Sequence, residues 1–157
     1  MKEVLFARID EDFALVEEML ALLPTGSEGW RPAWPGDLPL TVAELAAHLA
    51  ESFAGVCACF ARLDLLNLRR VETAGLTLGE SREAMATYRA QVREAFELME
   101  DADLVRVILT YFVPEGEPFL AVLLTNWKHV NHHAHQLFVY LKLLGVPVGT
   151  RHLYRFR

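Results

Sequence analysis

From Phe119 to Leu144 the chain carries neither proline nor glycine. The spacing predicts one helix over residues 118–144, roughly 40 Å long at 1.5 Å per residue. Pro118 suits a first helical turn, where a missing N–H costs nothing. Gly145 suits the C-terminal cap, and Pro147 stops the helix from resuming. Leu123, Trp127, Leu137 and Leu141 fall within about 80° of arc on a wheel of 100° per residue, so this helix has one side to bury.

Three more segments carry the same periodicity. Leu5, Ile9, Phe13, Val16, Leu20 and Leu23 recur at spacings of three and four over residues 2–23, and Pro24, Gly26 and Gly29 end that run. Thr41-Val42-Ala43-Glu44 is a capping box that opens a helix reaching about Leu66. Met85, Tyr88, Val92, Phe96 and Met99 form the stripe of a third helix over residues 79–99, opposite Arg82, Arg89, Arg93, Glu94 and Glu97. Between the first two helices, the prolines and tryptophans of residues 30–39 imply a loop with Trp30 and Trp34 packed over a bundle end. Residues 104–113 are β-branched and aromatic. They suit a short strand, but with no partner strand in view a crossing segment or short helix serves as well. The expected architecture is all-α, a four-helix bundle with a long third-to-fourth connection, formed by residues 1–157 as one domain.

The long helix also holds the densest chemistry in the chain. Four of the six histidines, His129, His132, His133 and His135, lie within seven residues. Taking His129 as zero on the wheel, His133 lies at about 40°, His132 at about 300° and His135 at about 240°. His129 and His133 therefore border the apolar side, one turn apart on one face. His135 shares the outer side with Lys128 and Lys142, and His132 is at an edge. Neutral imidazole is a common ligand for zinc, nickel or iron. A site needs a third ligand, and His48 aligns with Leu45, Leu49, Ser52 and Val56 on the buried side of the second helix. Three protein ligands leave coordination positions open, as catalytic sites do. The alternative is that His48 is a hydrogen-bonded core residue and that the i, i+4 pair arises by chance in a histidine-rich helix. The pair also lacks the glutamate of H-E-x-x-H, because Val130 follows His129.

Composition narrows the partners. The net charge of -6 argues against a nucleic-acid binder. No stretch approaches the roughly 18 consecutive apolar residues of a membrane span. The acidic start, with Glu3, Asp10, Glu11 and Asp12, is unlike a signal peptide, so a cytoplasmic location is expected. Cys57 and Cys59, two apart on a helix, are poorly placed to bridge each other.

Trp34-Pro35-Gly36-Asp37 leading into Thr41-Val42-Ala43-Glu44-Leu45-Ala46-Ala47-His48-Leu49, followed by the run from His129 to Gly145, resembles the DinB/YfiT-like superfamily. In that family the fourth helix reads H-x-x-x-H-x-x-Q, then a Tyr-Leu-Arg-like run and Gly. Here His129, His133, Gln136, Tyr140-Leu141-Lys142 and Gly145 occupy those places, and His135 departs from a common glycine. The resemblance implies a four-helix bundle, commonly a homodimer, with His48, His129 and His133 as ligands to a divalent metal, zinc or nickel. It implies metal-dependent chemistry only loosely, as a thiol-dependent transferase or a hydrolase acting on a small-molecule or thiol ligand. A non-catalytic bundle, metal-stabilised or sensing in a stress response, is the other reading, and no catalytic residue is assigned. Glu44 and Glu51, a turn either side of His48, could orient an imidazole or accept a proton. Equally, Glu44 is occupied as a cap and Glu51 is a solvated helix residue. Phe53, Phe60 and Leu66 suit either the core or an intersubunit face.

Overall fold

The computed structural model describes residues 1–33, 36 and 38–154. Trp34, Pro35 and Asp37 of the quoted loop, and residues 155–157, lie outside the described residues. Four long helices form: α1 (Lys2–Ala21), α2 (Val42–Ala61), α3 (Leu78–Leu98) and α4 (Phe119–Leu143). Residues 99–118 link α3 to α4, and this connection is no longer than residues 22–41 between α1 and α2.

Helix ends follow local chemistry. The Thr41 hydroxyl accepts from the Glu44 amide at 3.1 Å, and Glu44 Oε2 accepts from the Thr41 N–H at 2.6 Å, satisfying two donors that a bare terminus leaves orphaned. A second box, Thr77 with Glu80, starts α3. The sequence reading begins that helix at Gly79 and misses the box. At the end of α4, Gly145 adopts φ 79°. Its N–H donates to the Lys142 carbonyl, and the Val146 N–H donates to that of Leu141, which makes a Schellman cap. Trp30 packs edge-on against Tyr140, with ring centroids 5.4 Å apart.

The ambiguous segment resolves into a 3-10 turn, Asp101–Val105, followed by strand β1 (Val107–Ile108). That strand does have a partner: β2 (Glu117–Pro118) pairs with it antiparallel. Pro118 thus ends a strand and caps α4 instead of entering its first turn. A two-stranded ribbon tolerates this proline, because an edge position does not require its N–H.

α2 packs against α3 and α4, and α1 packs against the same two, so α1 and α2 face each other across the bundle axis. Lys2 reaches the carbonyl of Phe96 while Asp10 and Glu17 meet Arg89, so α1 and α3 run antiparallel. Gly55 faces Asn126 and Leu40 meets Tyr140, so α2 and α4 are also antiparallel. One hydrophobic cluster fills the interior, with Phe13, Phe53, Phe60, Tyr88 and Phe119 fully buried. Phe53 and Phe60 are therefore core residues and unavailable to an intersubunit face, and Leu66 packs half-buried against the same cluster. By length and mean hydropathy, 1.3, α2 could cross a membrane. Its apolar side is instead spent on the bundle core, and Glu44, His48 and Glu51 occupy the other.

The α1–α3 seam is tied by charge. Asp10 accepts bidentate hydrogen bonds from both Arg89 and Arg93 at 2.8–3.0 Å. Burial alone would raise the Asp10 carboxyl, but the two guanidinium groups outweigh it and hold the carboxyl well below the usual carboxylate range. A depressed folded-state pKa adds stability that is present above the unfolded value and lost as pH falls through the folded one. Unfolding titrations between pH 5 and pH 2 should therefore show a steep acid limb. Asp10→Asn should make that limb shallower by up to about 1.4 kcal/mol per pH unit, the value of one proton.

Candidate metal centre

His48 lies on the second turn of α2, between buried Leu45 and Leu49; His133 lies on α4 beside buried Ala134, and His129 beside buried Val130. The two helices approach closely just beyond the site. A Cβ on Gly55 would stand 2.9 Å from Asn126 Oδ1, so only glycine fits there without displacing that amide. The close approach brings the imidazoles of α2 and α4 together across the seam between the helices. His48 Nε2 is 3.0 Å from His133 Nε2 and 3.2 Å from His129 Nε2. The three donors all lie within 4.8 Å of one another. His129 is exposed, and His48 and His133 are half-buried. The cluster thus lies at the α2–α4 seam, open to solvent on the His129 side.

The outer nitrogens determine what the inner ones can do. His133 Nδ1 lies 2.9 Å from Gln136 Oε1, Gln136 Nε2 lies 3.2 Å from the Tyr140 hydroxyl, and that hydroxyl lies 2.8 Å from the Leu40 carbonyl. A carbonyl only accepts, so Tyr140 donates to Leu40 and accepts from the Gln136 amide. Gln136 then offers its oxygen to His133, whose Nδ1 must carry the hydrogen. His48 Nδ1 lies 3.3 Å from Glu51 Oε2, again an acceptor. In the neutral rings both Nε2 atoms are therefore bare lone pairs, aimed at each other across 3.0 Å. Burial lowers the proton affinity of His129 and of His133; the neighbouring imidazoles reinforce this, and the Gln136 hydrogen bond partly opposes it at His133. Facing lone pairs repel unless a cation lies between them, and His133 resists supplying that charge by its own protonation.

Three imidazole nitrogens are a donor set for zinc, nickel, iron or copper. Two nitrogens at 2.0–2.1 Å from a tetrahedral ion stand about 3.3 Å apart, close to the 3.0 and 3.2 Å found. The residues fit a divalent ion.

The remaining candidates fall outside the triad. Glu44 is held in its cap and lies 3.7 Å from Arg31. Glu51 is both solvent-exposed and in contact with His48, so the two sequence readings of it are compatible. Ser52 is buried and donates to the His48 carbonyl at 2.7 Å. Burial pushes the Cys59 thiol up to about 12 and the Cys57 thiol also upward, which leaves both inert. His135 is exposed, with Nδ1 2.7 Å from the Asn131 carbonyl and its ring near Tyr154. His132 is exposed and lies close enough that a positive charge there would oppose protonation of His129 and His133.

Sequence reasoning placed Gln136 and Tyr140 in a motif without a role. The signal was their spacing, three and seven residues beyond His133, which keeps all three on one helix side. It also missed a cleft of about 550 Å³ beside the triad, walled by His48, Glu51, Ala43 and Ala47 on α2 and by residues 72–76 of the α2–α3 connection.

No protein-family model matches the chain, and no curated protein does. Solved structures do. A DinB-like protein from Bacillus cereus ATCC 10987 superposes with a TM-score of 0.69 at 20% identity, covering 88% of this chain and 90% of that one. A DinB-like protein from Bacillus subtilis superposes with a TM-score of 0.63 at 20% identity, covering 88% and 92%. At that identity the likeness speaks for the backbone arrangement, and the site rests on this chain's own residues. The bundle, with its antiparallel α2–α4 pair, has the DinB-like fold.

Proposed function

We propose that the chain is a divalent-metal-dependent enzyme acting on a small molecule, with His48, His129 and His133 as the ligands and zinc or nickel as the metal. The observation that carries this is the pair of bare Nε2 lone pairs on His48 and His133, facing each other at 3.0 Å with their tautomers set from behind. Three protein ligands leave open positions, as in catalytic and not structural sites. The neighbouring cleft is of a size for small-molecule ligands. A divalent ion held there would supply Lewis acidity, bringing the pKa of a water or thiol nucleophile toward neutrality. The chain's own residues do the rest. Glu51 orients His48 through Nδ1 and stands at the cleft edge as a proton acceptor. Ala43 and Ala47 leave room for substrate beside His48. The reaction classes this arrangement suits are thiol transfer and hydrolysis.

The test begins with elemental analysis of protein purified without chelator, where roughly one ion per chain is expected. The protein is then stripped, reloaded with zinc or nickel, and assayed for conjugation of cysteine to chlorodinitrobenzene and for hydrolysis of p-nitrophenyl acetate. Turnover that vanishes on stripping and returns on reloading supports the proposal. An ion bound tightly with no turnover in either assay would instead indicate a bundle stabilised by its metal.

A further inference from the structure

We propose that Tyr140 is a positioning residue for the centre: its hydroxyl fixes the orientation of the Gln136 amide and thereby the tautomer in which His133 presents its ligand nitrogen. This rests on the reading of His133 as a ligand. Tyr140 is buried and lies seven residues beyond His133, about 10.5 Å of helix rise, so it acts on the triad only through Gln136. Its hydroxyl is committed to the Leu40 carbonyl at 2.8 Å, a group with no other described donor. That commitment leaves only a lone pair for Gln136, so the amide must present its NH2 to Tyr140 and its oxygen to His133.

Without the hydroxyl, no other group among the described residues holds the Gln136 NH2, and the two amide orientations lose their distinction. The flipped amide would present NH2 to His133 Nδ1, which would then have to accept. The hydrogen would move to Nε2, the nitrogen that faces His48, and block it as a ligand. The relay also links distant parts of the chain. Leu40 ends the loop between α1 and α2 and borders the cleft beside His48, so a shift of that loop reaches His133 through three hydrogen bonds.

The test uses four full-length proteins: wild type, Tyr140→Phe, Gln136→Glu and the double variant. Tyr140→Phe keeps the ring that packs against Trp30, and circular dichroism checks that each protein is folded. Long-range 1H–15N correlation spectra of the metal-free proteins report the His133 tautomer directly. Competition with a chromophoric chelator reports zinc affinity. Wild type should show the Nδ1–H form. Tyr140→Phe should populate the Nε2–H form and lose about 10–100-fold in zinc affinity, the usual effect of removing a ligand's supporting hydrogen bond. A carboxylate accepts from either oxygen, so in the Gln136→Glu background the tyrosine change should leave tautomer and affinity nearly unaltered. The same loss in both backgrounds, or an unchanged tautomer in Tyr140→Phe, overturns the proposal. Because the tautomer is read without metal, a wild-type protein that binds no zinc would refute the metal reading and still leave the relay decided.

Discussion

His48→Ala should lower zinc or nickel affinity by more than about 100-fold, beyond the 10–100-fold that outer-shell changes cost. His48 is the only described ligand candidate on α2 and is within 3.2 Å of both partners. Removing it leaves two donors one turn apart on α4 and no bridge between helices. The effect should also appear as stability. An ion at 100 times its dissociation constant adds about 2.7 kcal/mol to a protein that binds it only when folded. Wild type should therefore melt at a higher temperature in saturating metal, and His48→Ala should melt at the same temperature with and without it. His135→Ala is the control, because His135 points away, to the Asn131 carbonyl and Tyr154, and should keep full affinity. Since burial depresses the proton affinity of His129 and His133, protons should displace the metal only below the ordinary histidine range near pH 6.5. If His48→Ala retains wild-type affinity, the three-histidine centre is wrong.

Some of this centre could be read from residues alone, and the reason is geometric. An i, i+4 pair is placed on one face by the helix itself, so His129 and His133 needed no tertiary information. His48 was harder, because only the packing of α2 on α4 brings it near; the sequence reading put it on the buried side with Leu45 and Leu49, whereas it is half-buried at the edge of that side, in line with Glu44 and Glu51. The relay was out of reach, because its last acceptor is a backbone carbonyl at Leu40 in a proline-rich loop, which leaves no side-chain signature. The same distinction holds for the fold. The Thr41–Glu44 box is a local interaction between side chain and backbone and was visible. The equivalent Thr77–Glu80 box was hidden because Gly79 lies inside it and weakens the helical pattern. The β1–β2 ribbon failed for a different reason: its partner strand is Glu117–Pro118, and a proline discourages a strand assignment until the edge position is known. Phe53 and Phe60 could not be assigned to core or interface by pattern, since either use buries the same face.

Phe13→Ala should destabilise the protein by about 3–5 kcal/mol, the range for a buried phenylalanine cut to alanine. Phe13 is fully buried, and its ring lies nearly parallel to that of Phe53, with centroids 3.7 Å apart. These residues belong to α1 and α2, the two helices that face each other across the bundle axis. Their rings therefore fill the centre of the bundle, where all four helices close and no single helix can shift to fill a void. Such a site collapses poorly, and poor collapse puts the cost in the upper part of the range. For a chain of this size each kcal/mol lowers the melting temperature by about 2–4 °C, so a fall of roughly 6–20 °C is expected in a thermal melt. Val139→Ala, on an exposed position of α4, should change stability by no more than about 0.5 kcal/mol. Phe53 lies on α2 only a turn and a half from His48, so the damage should extend to the site. Once the ring stack is lost, α2 is held less firmly against α4, and zinc affinity should fall together with stability. A Phe13→Ala protein that melts within 2 °C of wild type would show that the bundle axis can repack, and that α2 is positioned by its contacts with α3 and α4 alone.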